Sequence, residues 1–148
     1  MREVSCGFII VNNDKKVLLG KTSRGHYTVF KGKMEKGEIL LDTALRELRE
    51  ESGIDLNNIE NIWDYVSEDF VFTYRLKNKD VFLFLLEDEE GLLDNVKLKC
   101  ESTYNHKGKE KLEIEGYKWI KIKNMNKYIF PSQKGIKKFL MEKYGIEE

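Results

Sequence analysis

The chain has few of the features that mark specialised classes. Its 148 residues include two cysteines, Cys6 and Cys100, far apart and outside any CxxC pair, which excludes a disulfide framework or a cysteine zinc site. Both are expected to be reduced and buried. Two isolated histidines, His26 and His106, read as ordinary loop residues. One proline, no internal repeat and no low-complexity stretch leave no mark of a linker, so residues 1–148 are expected to form a single domain. No apolar run has the length of a bilayer span, and the amino-terminal run is too short for a secretory leader. These absences point to a cytoplasmic protein without a membrane partner. Net charge is also missing: 26 Lys and Arg balance 26 Asp and Glu, so no chain-wide basic field attracts nucleic acid.

What is present is first a set of strand signals. Residues 3–11 and 17–19 are apolar runs separated by Asn12-Asn13-Asp14, which predicts a hairpin. Apolar residues occupy both parities of the first run, as in a sheet covered on both faces. Residues 62–66, 70–74 and 81–86 are read as further strands, with a turn at 77–80. Residues 87–112 are read as a long connection with a short strand near 96–100, and residues 117–122 as a late strand. A closing helix follows Pro131 and Ser132, burying Ile136, Phe139, Leu140 and Tyr144 and stopping near Gly145.

Between the hairpin and the middle strands lies the most informative stretch. Residues 21–36 are basic and read as an irregular loop in which Arg24, Lys31 and Lys33 are candidates to meet phosphate oxygens. A helix is predicted from Asp42 or Thr43, either a suitable N-cap, to Gly53, a residue suited to a left-handed C′ position. Leu41, Ala44, Leu45 and Leu48 form its core stripe. Glu47, Glu50 and Glu51 form a second stripe at i, i+3, i+4. Carboxylates about 6 Å apart repel by roughly 1 to 3 kcal/mol per pair at an effective dielectric near 20, and a helix carboxyl end carries partial negative charge already. Arg46 and Arg49 offset part of this, and a solvated salt-bridged face is one explanation. The other is a hard divalent cation, Mg²⁺ or Mn²⁺, which binds oxygen ligands and leaves positions to water and phosphate. Glu38, in a glycine-bounded loop, could fold back toward the same place.

Gly32, five residues, Glu38, seven residues, then Arg46-Glu47-Leu48-Arg49-Glu50-Glu51-Ser52-Gly53-Ile54 resembles the Nudix box at every fixed position. A chance match to seven specified residues is on the order of 10⁻⁸ per start position. The resemblance implies an α/β fold, the Nudix α/β/α sandwich with a mixed β-sheet between helices, and Mg-dependent hydrolysis of a nucleoside diphosphate linked to another group. It implies that Glu47, Glu50 and Glu51 hold the metal with Gly32 in the same set, that Arg46 orients Glu47, and that Glu38, Gly37 and Gly53 support the cluster. Glu47 is one candidate base. Glu113 and Glu115 are two more, because Glu113-Ile114, Tyr117 and Trp119 are spaced as in the segment that supplies such an acid in mRNA-decapping Nudix enzymes.

The residues 25–35 are similar to the W-x-x-P-K-G segment of diadenosine-tetraphosphate and RNA 5′-end hydrolases, with Tyr27 in place of Trp and Phe30 in place of Pro. The Phe and Lys spacing is also similar to enzymes that destroy oxidised purine nucleoside triphosphates. Expected partners are therefore a small nucleotide substrate or an RNA 5′ end, bound by Lys31, Lys33, Arg24 and Tyr27. Tyr27, Phe30, Trp63, Phe70, Phe72, Tyr74 and Tyr104 are the rings available for stacking a base, with core packing as the commoner role of each. A scaffold that binds nucleotides without turnover is the reading from another class. An RNA-binding role for the lysine-rich second half is a third. The sequence leaves the oligomeric state open.

Overall fold

A computed structural model describes residues 2–148. Its organising strand is β1 (Glu3–Asn12), buried at all seven positions from Ser5 to Val11. It runs parallel to β6 (Lys79–Asp88) over its whole length, from Glu3 opposite Lys79 to Asn12 opposite Asp88. Its other edge is shared. The first half pairs antiparallel with β4 (Phe30–Lys33), from Ser5 opposite Lys33 to Phe8 opposite Phe30, and the end pairs with β2 (Lys16–Thr22) at Val11 opposite Val17. The fork between these two partners is where the candidate site opens.

Strands β3 (Tyr27–Thr28) and β9 (Ile114–Lys121) pair with β2, and β5 (Phe72–Arg75) pairs with β6, completing a mixed seven-stranded sheet. Alternation along β1 sends Cys6, Phe8 and Ile10 to one face and Ile9 and Val11 to the other. On the first face they meet Ala44 and Leu48 of helix α1 (Leu40–Ser52); on the second, Ile136, Leu140 and Met141 of helix α2 (Gly135–Tyr144). This is the expected α/β arrangement with helices on both faces. Both cysteines are buried and free, as expected. Among the described residues no helix is long and apolar enough to cross a membrane.

Five local expectations need correction. Helix α1 starts at Leu40, before Asp42 or Thr43, because Ile39 is the N-cap and the Asp42 carboxylate accepts the Ile39 N–H at 3.2 Å. Residues 62–66 are not a strand. A 3-10 turn spans Ile62–Tyr65, and a buried Ile62 with half-buried Tyr65 and Val66, while Trp63 and Asp64 are exposed, follows a helical spacing. The middle strand read at 70–74 is β5, displaced to Phe72–Arg75. Residues 21–36 are not wholly irregular: they hold β3 and β4, since Val29 and Phe30 are completely buried. Residues 96–100 form no strand, and the long connection instead ends in a separate hairpin, β7 (Thr103–His106) and β8 (Lys109–Leu112).

Candidate active site

Helix α1 carries two buried stripes. Ala44 and Leu48 are fully buried toward the sheet, with Leu41 and Leu45 packed at the margin. The second stripe buries Glu47, 9% exposed, and Glu51, 5% exposed, an unusual environment for two carboxylates. Gly53 ends the helix at φ 78°, donating its N–H to the Arg49 carbonyl at 2.8 Å.

The negative end of α1 is heavily supplied with donors. The Glu50 carbonyl accepts the N–H groups of Glu101 at 2.7 Å and Ser102 at 3.2 Å, and the Ser52 carbonyl accepts that of Lys99 at 3.0 Å. The Tyr117 hydroxyl donates to the Glu51 carbonyl at 2.6 Å. These bonds use the carbonyls that a helix end leaves unpaired, and they lessen the penalty for acids there.

Arg46 joins the acids. Its Nε donates to Glu38 at 2.7 Å, one Nη to Glu47 at 2.8 Å and Glu50 at 3.2 Å, and the other to the Lys33 carbonyl at 2.8 Å. Glu38 also accepts the Glu35 N–H at 2.8 Å and the Thr43 hydroxyl at 2.9 Å. The Arg46 hydrogen bond, helped by these two, holds its carboxyl at a pKa of about 2. Burial pushes Glu47 upward against the pull of Arg46. It pushes Glu51 well above the ordinary range, with the Glu47 charge adding to it, although Glu51 accepts the Lys31 N–H at 2.9 Å. Burial likewise lowers the Lys31 ammonium.

Among the described residues no three His, Cys, Asp or Glu side chains converge on one point: Glu47 and Glu50 turn to Arg46, and Glu51 turns to the Lys31 backbone. The residues nonetheless suit a hard divalent cation. All donors are carboxylate oxygens, two of them belong to groups whose charge burial opposes, and the bare backbone of Gly32 leaves room for the Glu47 carboxyl. Glu47, Glu50 and Glu51 are the side chains that would hold such an ion.

In the fork beside β1 lies a cleft of about 440 Å³. Of the residues singled out from sequence, it brings together Arg24, Lys31, Gly32, Glu51 and Glu113. Glu115 is exposed and outside it. Lys33 pairs with Glu3 at 3.2 Å, and Tyr27 packs edge-on against Tyr128, so neither lines the cleft. Gly37 lies in the turn before α1. Among the rings considered for stacking, Tyr104 alone lines the cleft; Phe30 is core, Phe72 and Tyr74 pack on the α2 side, and Phe70 meets Phe82 edge-on at 5.0 Å. Trp63 is 41% exposed and is not part of the cleft lining. His26 stacks on Phe130 at 4.7 Å, a partner no sequence spacing announces.

The cleft also contains residues that sequence reasoning missed. Thr22 lines it with a buried hydroxyl oxygen that has no hydrogen-bond partner, and Ser23, Thr28 and Phe130 complete the walls. Buried Gln133 binds both the Val29 N–H, at 3.2 Å, and the Thr28 hydroxyl, at 2.9 Å. Polar residues ahead of the closing helix carry no periodic signal, so only tertiary structure reveals them. A larger groove, about 590 Å³, follows α2 and residues 145–148 but touches none of the acids of α1. Size is therefore a poor guide to the chemistry here.

The NUDIX domain family profile matches residues 1–141. The chain is 46% identical over 57 residues to the NAD-capped RNA hydrolase NudC of Vibrio atlanticus, covering 36% of this chain and 21% of that protein. It is 31% identical over 127 residues to the mouse asymmetrical bis(5′-nucleosyl)-tetraphosphatase, covering 78% and 77%. The first three curated relatives are matched over only 21%, 40% and 49% of their own lengths. A crystal structure of a C. elegans Ap4A hydrolase binary complex superposes with a TM-score of 0.66 at 20% identity, covering 96% of both chains, a likeness of fold. With the box residues on α1 and the profile spanning nearly all its strands and helices, the chain belongs to the Nudix family.

Proposed function

We propose that this protein hydrolyses a diphosphate linkage in a nucleoside diphosphate joined to a second group, using Mg²⁺ or Mn²⁺, and that the substrate is a dinucleoside polyphosphate or an RNA 5′ end. The observation that carries the reading is a shared border: Glu51 of the acidic α1 face lines the cleft that also holds Arg24 and Glu113, and so do Lys31 and Gly32 of β4, whose backbone meets the Glu51 and Glu47 carboxylates. A divalent cation held by Glu47, Glu50 and Glu51 would neutralise phosphate charge and lower the pKa of bound water.

The chain's own groups then divide the work. Lys31 and Arg24 bind phosphate oxygens from the cleft wall. Arg46 fixes the Glu47 carboxylate through the 2.8 Å contact, and Glu38 fixes Arg46. Glu113 accepts the proton of the attacking water, a role its position in the cleft favours over exposed Glu115; Glu47, held against Gly32, is the other candidate. Support for the dinucleoside polyphosphate class comes from the mouse tetraphosphatase, which aligns over most of both chains.

The test is a panel of dinucleoside polyphosphates, oxidised and ordinary nucleoside triphosphates, ADP-ribose and 5′-triphosphorylated RNA, with Mg²⁺ or Mn²⁺ and products resolved by chromatography. Turnover of a dinucleoside polyphosphate or RNA end is the expected result. Preference for oxidised triphosphates would replace the substrate class, and tight nucleotide binding without turnover of any member would overturn the catalytic reading in favour of a sensor.

A further inference from the structure

Hairpin β7–β8 stands apart from the large sheet as its own two-stranded unit. Of residues 103–112, every one is exposed except Tyr104. An isolated hairpin of this kind is marginally stable in water, so its orientation depends on a few anchoring contacts. Two sets exist. At the root, Glu101 and Ser102 donate their N–H groups to the Glu50 carbonyl, and Glu113 donates its own to the Ser102 carbonyl at 2.9 Å. On the flank, the Tyr104 hydroxyl hydrogen-bonds the Ser23 hydroxyl.

Ser23 and Tyr104 both line the cleft but come from segments far apart in the chain. Ser23 follows β2 and neighbours Arg24; Tyr104 belongs to β7. Glu113 occupies the single position between the end of β8 at Leu112 and the start of β9 at Ile114. Opposite that junction the β2–β9 ladder shifts register between Lys21 and Thr22. This junction and the register shift are where a tilt of the hairpin would be taken up.

We propose that Tyr104 and Ser23 form a latch at the cleft that sets the hairpin and, through it, positions Glu113 for the reaction. The proposal rests on the hydrolase reading above. Tyr104 is here a positioning residue, and its ring is secondary to its hydroxyl. The latch also ties the segment bearing Arg24 to the hairpin that leads to the proton acceptor, so phosphate binding and water activation share one adjustable support.

The experiment compares Tyr104→Phe, Ser23→Ala, the double variant and Tyr104→Ala, following steady-state turnover of the best panel substrate and amide hydrogen exchange of residues 103–113. Loss of the latch should lower kcat on the order of 10-fold in Tyr104→Phe and Ser23→Ala alike, with KM within about twofold, and the double variant should be no worse than either single one. Exchange across 103–113 should quicken in all three. Normal kcat and exchange in Tyr104→Phe, with only KM raised in Tyr104→Ala, would overturn the latch and leave a ring that merely contacts substrate. Lower kcat without faster exchange would overturn it as well. Should no panel member turn over, the exchange arm still decides: faster exchange in Tyr104→Phe and Ser23→Ala upholds the latch, and unchanged exchange refutes it, independently of the hydrolase reading.

Discussion

A Cβ built on Gly32 would stand 2.0 Å from Cδ of Glu47 and 2.3 Å from each of its carboxylate oxygens. The backbone of β4 is thus the floor on which a buried carboxylate rests, and Arg46 holds that carboxylate from the side. Gly32→Ala must displace the flexible end of Glu47 before it displaces any backbone. Overpacking of this kind costs about 1 to 3 kcal/mol. The variant should remain folded by circular dichroism with a lower melting temperature, while turnover falls on the order of 100-fold. Wild-type turnover in a well-folded Gly32→Ala protein would show that the position of Glu47 is unimportant.

The acids differ in what their removal should do. Glu113→Gln should reduce kcat on the order of 100-fold or more, the usual scale of a lost proton acceptor, whereas Glu115→Gln should stay within about twofold. Glu50→Gln should lower turnover by orders of magnitude yet leave metal-free protein at least as stable, because it relieves repulsion with Glu47. Equal effects at 113 and 115 would remove the assignment of Glu113.

Glu38 offers a pH test of the Arg46 network. Its folded pKa is lowered from 4.5 to about 2, so the stabilisation is complete above the unfolded value and is lost as pH falls from the unfolded toward the folded value. Denaturation midpoints of wild type and Glu38→Gln should differ most near neutrality and converge on acidification. A gap that stays constant down to the folded pKa would mean that Glu38 acts through its shape alone.

Glu47 and Glu51 shift the other way. Burial raises both, so in metal-free protein each carboxyl favours folding when protonated and ceases to as pH rises through its folded pKa. Metal binding needs the ionised forms and should therefore expel protons. Calorimetric titration with Mg²⁺ at several pH values, each in two buffers of different ionisation enthalpy, should give apparent heats that differ between buffers, most at the acid end. Identical heats would show that no proton leaves.

The legible parts of this molecule were those with a period or a fixed motif. Strand β1, apolar on both parities, announced a sheet covered on two faces, and Leu41, Ala44, Leu45 and Leu48 announced the buried side of α1. The family motif singles out Glu47, Glu50 and Glu51 as one set. Residues 62–66 misled because a short apolar run with aromatic content suits a strand or a tight helical turn equally, and Asn61 at φ 67° settled the turn. Residues 96–100 mislead because they join no ladder: the Lys99 N–H goes to the Ser52 carbonyl at the end of α1 and the Val96 N–H to the Leu93 carbonyl. Hairpin β7–β8 was invisible because its strands are exposed on both faces and so alternate nothing. Lys33 and Tyr27 lie close in sequence to Lys31 but face Glu3 and Tyr128, a distinction of side-chain direction that composition does not carry.

The Gln133 contact with Val29 closes a loop of 104 positions. Contacts of such separation form late, because the chain must lose the entropy of a long loop before they return any stability. During refolding the helix bearing the acids can assemble from local contacts, while the cleft floor waits for the last quarter of the chain. In pulse-labelled exchange the Val29 amide should gain protection after those of α1, so the protein would acquire its acids before it acquires a place to put a substrate. Protection of Val29 ahead of α1 would reverse that order.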